Sequence, residues 1–395
     1  MATMVIGISG FRQTSPESLK NQGGVFMQTG ISRRKAVRAL SAAALFPLPT
    51  GNPKEGMRSE GDDTPKICLE IGAGGLAAGG LSDAGMRRIK QLGVDHVLMG
   101  GPKKIPWQED ELRSTMERLK MGGLRLGNMM IYGFPNTLYG RAGRDAEIEQ
   151  IIQSVRVAGR VGLPVIEYNF YAHRAVEGYY EEAGRAGASY TSFDYARIKD
   201  LPALPEEGAH TLDDMWKNIT YFLKAVIPVA EESGVRLALH PNDPPAPLSR
   251  GSEQIMATLA GWKKLIGLVP STANGITFDC GVTREIGEDP VEVCRYFGSR
   301  DRINHVHFRN VRVRVPYENY AEVFLDEGQV DMFAVMRELV KQKYPRLIYP
   351  EHPRAMDSDR DNPGFKPFYP GGGGYTGFAF NVGYTRAMLQ AVLSL

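Results

Sequence analysis

The stretch "GITFDCGVTREIGEDPVEVCRYFGSRDRINHVHF" (275–308) decides the fold. An apolar run, "GITFDC" (275–280), is followed by a helical pattern that carries Cys294, and then by a second apolar run, "INHVHF" (303–308). Two strands separated by a helix lie parallel, because parallel neighbours need a crossover between them. The same unit recurs outward in both directions, with strands expected near 67–72, 95–99, 124–131, 164–169, 235–240 and 346–350. Helical patterns fill the gaps, among them 145–162, 212–234 and 330–342. Asp145 and Asp331 stand near helix starts, and Gly162 and Gly234 where helices stop. Eight repeats of strand and helix close an α/β (β/α)8 TIM barrel. An open doubly wound sheet is disfavoured, since "GAGGLAAGG" (72–80) lacks the G-x-G-x-x-G spacing after the first strand.

One connection is too long for a simple loop. About forty residues separate Asn169 from the helix that begins near 212, and five of them are tyrosines. Such an insertion at the carboxyl face of a barrel is expected to be a substrate-facing excursion rather than a disordered one.

In a barrel of this kind, side chains at the carboxyl ends of the strands converge on one site. His240, Cys280, His307 and Glu351 each close an apolar run, in "VRLALHP" (235–241), "GITFDCG" (275–281), "INHVHFRN" (303–310) and "RLIYPEHP" (346–353). Taken singly, a strand-end histidine is more often structural, and a buried thiol usually packs as a small hydrophobe. Taken together they form a candidate set of N, S and O donors for a divalent cation. Softness suits zinc, while imidazole and carboxylate also hold Fe²⁺ or Mn²⁺. His305 shares a face with His307 if the strand alternates. Asn169 and Arg174 end the fourth strand, where a guanidinium can grip a carboxylate, and Arg309 follows His307 directly. Four glycines precede Tyr375, a run that allows either close backbone approach to a ligand or a flexible linker.

Composition bounds the rest. Lys+Arg of 47 against Asp+Glu of 45 gives no electrostatic case for nucleic acid or an anionic membrane. Three scattered cysteines make no disulfide framework, and no window is long and apolar enough to span a bilayer. Residues 1–66 are expected to be a disordered extension and 67–395 the barrel domain. Within the extension, "TGISRRKAVRALSAAALFPLPTG" (29–51) sets Arg33 and Arg34 ahead of an Ala/Leu stretch, the order of a twin-arginine export address. Export would make the protein periplasmic; a mere basic helix there would leave it cytoplasmic.

These motifs together resemble the mannonate dehydratases, metal-dependent sugar-acid lyases of the xylose-isomerase-like barrel superfamily. The stretches that carry the resemblance are "YNF…R" (168–174), "HPNDPP…RG" (240–251), "FDCG" (278–281), "HVHFRN" (305–310), "EHP" (351–353) and "GGGGY" (371–375). The resemblance implies elimination of water from D-mannonate to 2-dehydro-3-deoxy-D-gluconate, a step of glucuronate breakdown. It makes His240, Cys280 and His307 metal ligands with Glu351 as the fourth, at a position where the family carries Asp, and the cofactor Mn²⁺ or Fe²⁺. It also implies His352 and Tyr375 as the acid/base pair, with Asn169, Arg174 and Arg309 binding substrate. Asn242 likewise stands where the family usually has Asp. The expected partners are a hexonate and further copies of the same chain. Two other readings remain at this point: a metal-dependent sugar isomerase or epimerase on the same barrel, and an exported sugar-acid binder without catalysis. Cys280 favours the lyase, because a thiolate is unusual in the isomerase sites.

Overall fold

Eight short, mostly apolar segments pair side by side and close a parallel barrel. The computed structural model describes residues 60–72 and 80–395. Its strands are β1 (Lys66–Glu70), β2 (His96–Gly100), β3 (Arg125–Ile131), β4 (Val165–Tyr168), β5 (Tyr179–Ala183), β6 (Ser189–Asp194), β7 (Arg236–Leu239), β8 (Leu248–Ser249), β9 (Ser252–Glu253), β10 (Asn274–Asp279), β11 (Ile303–His307), β12 (Asn310–Val315), β13 (Asn319–Val323) and β14 (Leu347–Tyr349). Around the barrel the order is β1-β14-β11-β10-β7-β4-β3-β2, closed by pairing of β2 with β1. All eight strands expected from the sequence are barrel strands, with ends shifted by at most two residues. The export address expected at Arg33 and Arg34 lies outside the described residues. Among the described residues, no helix is long and apolar enough to cross a membrane.

Helices are set by capping and by one apolar stripe each. Thr211 and Asp214 form a reciprocal capping box that starts the helix Leu212–Glu232. Ile219, Phe222, Leu223, Val226, Ile227 and Ala230, at helical spacing, are almost fully buried against the barrel. Burying each of the larger ones contributes roughly 1.5–3 kcal/mol. Asp331 caps Met332–Lys341 by accepting from the Ala334 amide, and Gly162 ends Arg144–Val161 in the left-handed region.

The insertion after β4 is ordered. It supplies β5 and β6, which join β12 and β13 in an antiparallel sheet of order β12-β13-β6-β5. Glu322 of β13 pairs with Thr191 of β6, so two excursions distant in sequence make one wall beside the barrel mouth.

Candidate metal centre and active site

Strand alternation carries the donors inward. On β10, Asp279 pairs with His307 of β11, and His307 pairs with Tyr349, two residues before Glu351. Between them stands His240, just past β7. Its Nδ1 lies 2.7 Å from the Pro241 carbonyl, to which it donates, so the lone pair belongs to Nε2. That Nε2 is 3.0 Å from His307 Nδ1 and 3.9 Å from Asp279 Oδ2. His307 Nδ1 is in turn 3.9 Å from Asp279 Oδ2 and 3.0 Å from Glu351 Oε2. His240, Asp279 and His307 thus offer three ligand atoms within 4.8 Å of one another, with Glu351 at their edge. Donors about 2.1 Å from one ion at right angles stand about 3 Å apart, so the spacing fits a single cation.

The electrostatics favour a cation as well. Burial, with Glu351 adding to it, pushes the Asp279 carboxyl above its ordinary value in spite of Arg309. Burial alone would pull His307 down, but Glu351 and Glu167 outweigh it and hold the ring at about 9. His240 goes the other way, to about 4, through burial and the neighbouring His307. Buried acids crowded in this way are what a bound divalent ion neutralises.

Four sequence expectations need correction. Cys280 is not brought to the donors. The inward phase of β10 falls on Thr277 and Asp279, so Cys280 faces the apolar core with Ile276 and Phe278, and burial drives its thiol well up. Tyr375 begins the last helix and its hydroxyl donates to the Arg88 carbonyl, away from the pocket. Arg309 is 2% exposed and its guanidinium is spent on protein carboxylates: Asp279 at 3.1 Å, Glu285 at 2.6 Å and Glu351 at 3.1 Å. It sets donor positions and does not face substrate. The glycine run serves chain packing, because a Cβ on Gly371 would lie 2.3 Å from the Tyr190 carbonyl oxygen and one on Gly373 2.5 Å from that of Arg354.

The remaining expectations meet at one cavity of about 220 Å³, lined by His240, His307, Glu351, His352, Asn169 and Arg174. Arg174 donates to the Asp243 carbonyl at 2.7 Å and to its carboxylate at 3.1 Å, yet keeps an exposed face. His352 has a φ of +45°, an uncommon value for a non-glycine residue and one that tends to mark functional positions. Its Nδ1 is 2.9 Å from Glu322 Oε2, and its Nε2 lies 3.6 Å from Glu351 Oε2. Burial opposes its charge, but Glu322 and Glu351 together raise its affinity for a proton.

Sequence reasoning missed Glu70 and Glu167, which line the same cavity. Glu167 is fixed by Asn128 at 2.7 Å and Thr277 at 2.8 Å. Glu70 accepts no hydrogen bond among the described residues; burial, then Glu351 and Glu167, push its carboxyl up to about 7. A charged residue inside an apolar strand, as in "ICLEI" and "VIEYN", was the available signal.

A closed (β/α)8 barrel with an imidazole and carboxylate cluster at the carboxyl ends of its strands defines a class: barrels that hold a divalent ion against a small polar ligand. Residues 209–392 match the family model of D-mannonate dehydratase (UxuA). Mannonate dehydratase of Enterococcus faecalis is 29% identical over 324 residues, covering 71% of this chain and 88% of the relative. The Thermotoga maritima enzyme of the same name is 27% identical over 320 residues, covering 71% and 88%. The crystal structure of mannonate dehydratase from Streptococcus suis serotype 2 superposes with a TM-score of 0.73 at 24% identity, covering 84% of this chain and 94% of that one. A magnesium-bound xylose isomerase-like TIM barrel protein from Mycobacterium smegmatis shares the fold more distantly, with a TM-score of 0.54 at 14% identity. Over residues 209–392, and across most of the barrel, the chain is similar to the mannonate dehydratase family.

Proposed function

We propose that the protein is a metal-dependent hydro-lyase that removes water from D-mannonate to give 2-dehydro-3-deoxy-D-gluconate. The observation that carries this reading is the meeting of His240, Asp279 and His307 within 4.8 Å of one another, with Glu351 3.0 Å from His307, in a chain similar to that family. Those four residues would hold the cation, and their nitrogen and oxygen donors suit Mn²⁺ or Fe²⁺. When bound, the ion lowers the cost of negative charge next to the substrate carboxylate.

The chain's own residues do the proton work. Arg174 is positioned to orient the carboxylate through its exposed face. Glu70, whose carboxyl accepts no hydrogen bond among the described residues, takes the proton from C2. His352, with Nδ1 tied to Glu322, presents Nε2 to the departing C3 hydroxyl and protonates it as the C–O bond breaks. The resulting enol becomes the 2-keto group, and water is the only other product. Two groups whose surroundings make one the better donor and the other the better acceptor are the usual arrangement for paired acid and base.

A second reading gains from the correction at Cys280. With Asp279 as donor the cluster contains no sulfur, and a set of imidazoles and carboxylates also suits a metal-dependent sugar isomerase or epimerase. Product analysis separates the two. The manganese-loaded protein incubated with D-mannonate should yield a 2-keto-3-deoxy acid; recovery of only an isomeric sugar or sugar acid would transfer the assignment, and no turnover with any divalent ion would leave a binding protein. The export address over residues 29–51 is a separate proposal, to be tested by cell fractionation: a purely cytosolic, full-length product would remove it.

A further inference from the structure

A second cavity, of about 320 Å³, opens beside the reaction pocket. The two share Arg174, His352 and Phe368 as their common border. Its far side is built by elements that a barrel does not need: Tyr179 of β5, Thr191 of β6 and Glu322 of β13, from the side sheet. These walls are held rigidly. Tyr179 donates to Asp243 at 2.6 Å, and Thr191 accepts from Arg354 at 2.6 Å.

The lining is of two kinds. Phe368 is 76% exposed and Val176 49%, so the mouth presents apolar side chains to an entering ligand. Tyr369 continues that surface inward, with its ring 4.6 Å from the His352 ring. Opposite stand charged groups. Glu322 uses Oε2 for His352 and Arg354, and its Oε1 accepts no hydrogen bond among the described residues, with Arg309 the nearest ion-pair partner at 3.6 Å. Arg174 adds donors on the border.

We propose that this annex is a binding site for a sugar ring carried by the substrate, so that the chain acts on a hexonate bearing a glycosyl group. This rests on the lyase reading above and names the substrate class of the same site. A pyranose meets both kinds of wall at once: its carbon–hydrogen face lies on Phe368 and Val176, while its hydroxyls donate to Glu322 and accept from Arg174. Because the border includes His352, a ligand that fills both cavities passes directly over the acting imidazole. The reaction pocket alone, at about 220 Å³, falls below the usual range for ligand sites of 300–1,000 Å³, whereas the two together come within it.

The test compares D-mannonate with D-mannonate glycosylated at O4 or at O6, on the full-length manganese-loaded protein. Affinity is read by calorimetry, or as KM where turnover occurs, and product by assay for the 2-keto-3-deoxy acid. One of the glycosylated forms should bind about tenfold more tightly or better, and Val176→Trp, which fills the annex mouth, should collapse that ratio toward one. A wild-type ratio at or below one for both forms overturns the proposal without recourse to any variant. A Val176→Trp protein that folds normally and keeps the full preference overturns it as well. Absence of the keto acid from every substrate strikes the lyase reading, and the affinity ratio still decides the annex.

Discussion

Glu70 and Cys280 show what single positions contribute. Glu70→Gln should lower kcat by roughly 10²–10⁴-fold with little change in KM, since a positioned base contributes about that much. As a base Glu70 acts ionised, so kcat/KM should rise with pH through its titration. That limb lies at or below about 7, because a bound cation pulls it down, and Glu351, His352, Glu167 and His307 are the charged groups facing it. Retention of the same limb in the variant would exclude the role. Tyr375→Phe should leave turnover within about twofold of wild type, since its hydroxyl meets the Arg88 carbonyl; a collapse in kcat would restore the residue to the chemistry. The sequence did contain the correct reading of β10. In "GITFDC" the polar residues Thr277 and Asp279 alternate with Ile276, Phe278 and Cys280. Taking the last residue of the apolar run as the ligand moved the choice by one position, and a one-residue slip turns a side chain to the opposite face. His305 and His307 were legible because both lie on one phase of a strand whose start, at Ile303, was placed correctly.

At the scale of elements, the short helix Cys280–Glu285 is fitted around Arg309. A Cβ on Gly281 would lie 2.6 Å from Arg309 Nη1 and 2.9 Å from its Cγ. Gly281→Ala should therefore push the guanidinium off Asp279 and Glu285. Leaving buried charges unpaired costs about 3–5 kcal/mol, which a shift in the denaturant midpoint would report; an unchanged midpoint would mean that Arg309 relocates freely. The barrel strands were legible because each is a local apolar run. The pairing of β13 with β6 was not, because it joins segments more than a hundred residues apart, and no local pattern fixes a non-local partner.

In the whole molecule, folding brings together a candidate cation site that no segment holds by itself. His240, Asp279, His307 and Glu351 come from four different barrel strands or their ends. A cation that binds only the folded chain stabilises it by about 2.7 kcal/mol when present at about 100 times its dissociation constant. Chelation should accordingly lower the thermal midpoint and Mn²⁺ should restore it, as read by calorimetry; a midpoint indifferent to both would argue against a built site. Barrel closure, read from eight local runs, brings His240, His307 and Glu351 to one cavity, and Asp279 rather than Cys280 lies beside the two histidines.

The most direct test is the metal content of three purified proteins after stripping and reloading with Mn²⁺: wild type, Asp279→Ala and Cys280→Ala. About one ion per chain is expected for wild type and Cys280→Ala, and a loss of affinity of at least about 10–100-fold for Asp279→Ala. Full loading of Asp279→Ala together with loss of the ion from Cys280→Ala would contradict this expectation.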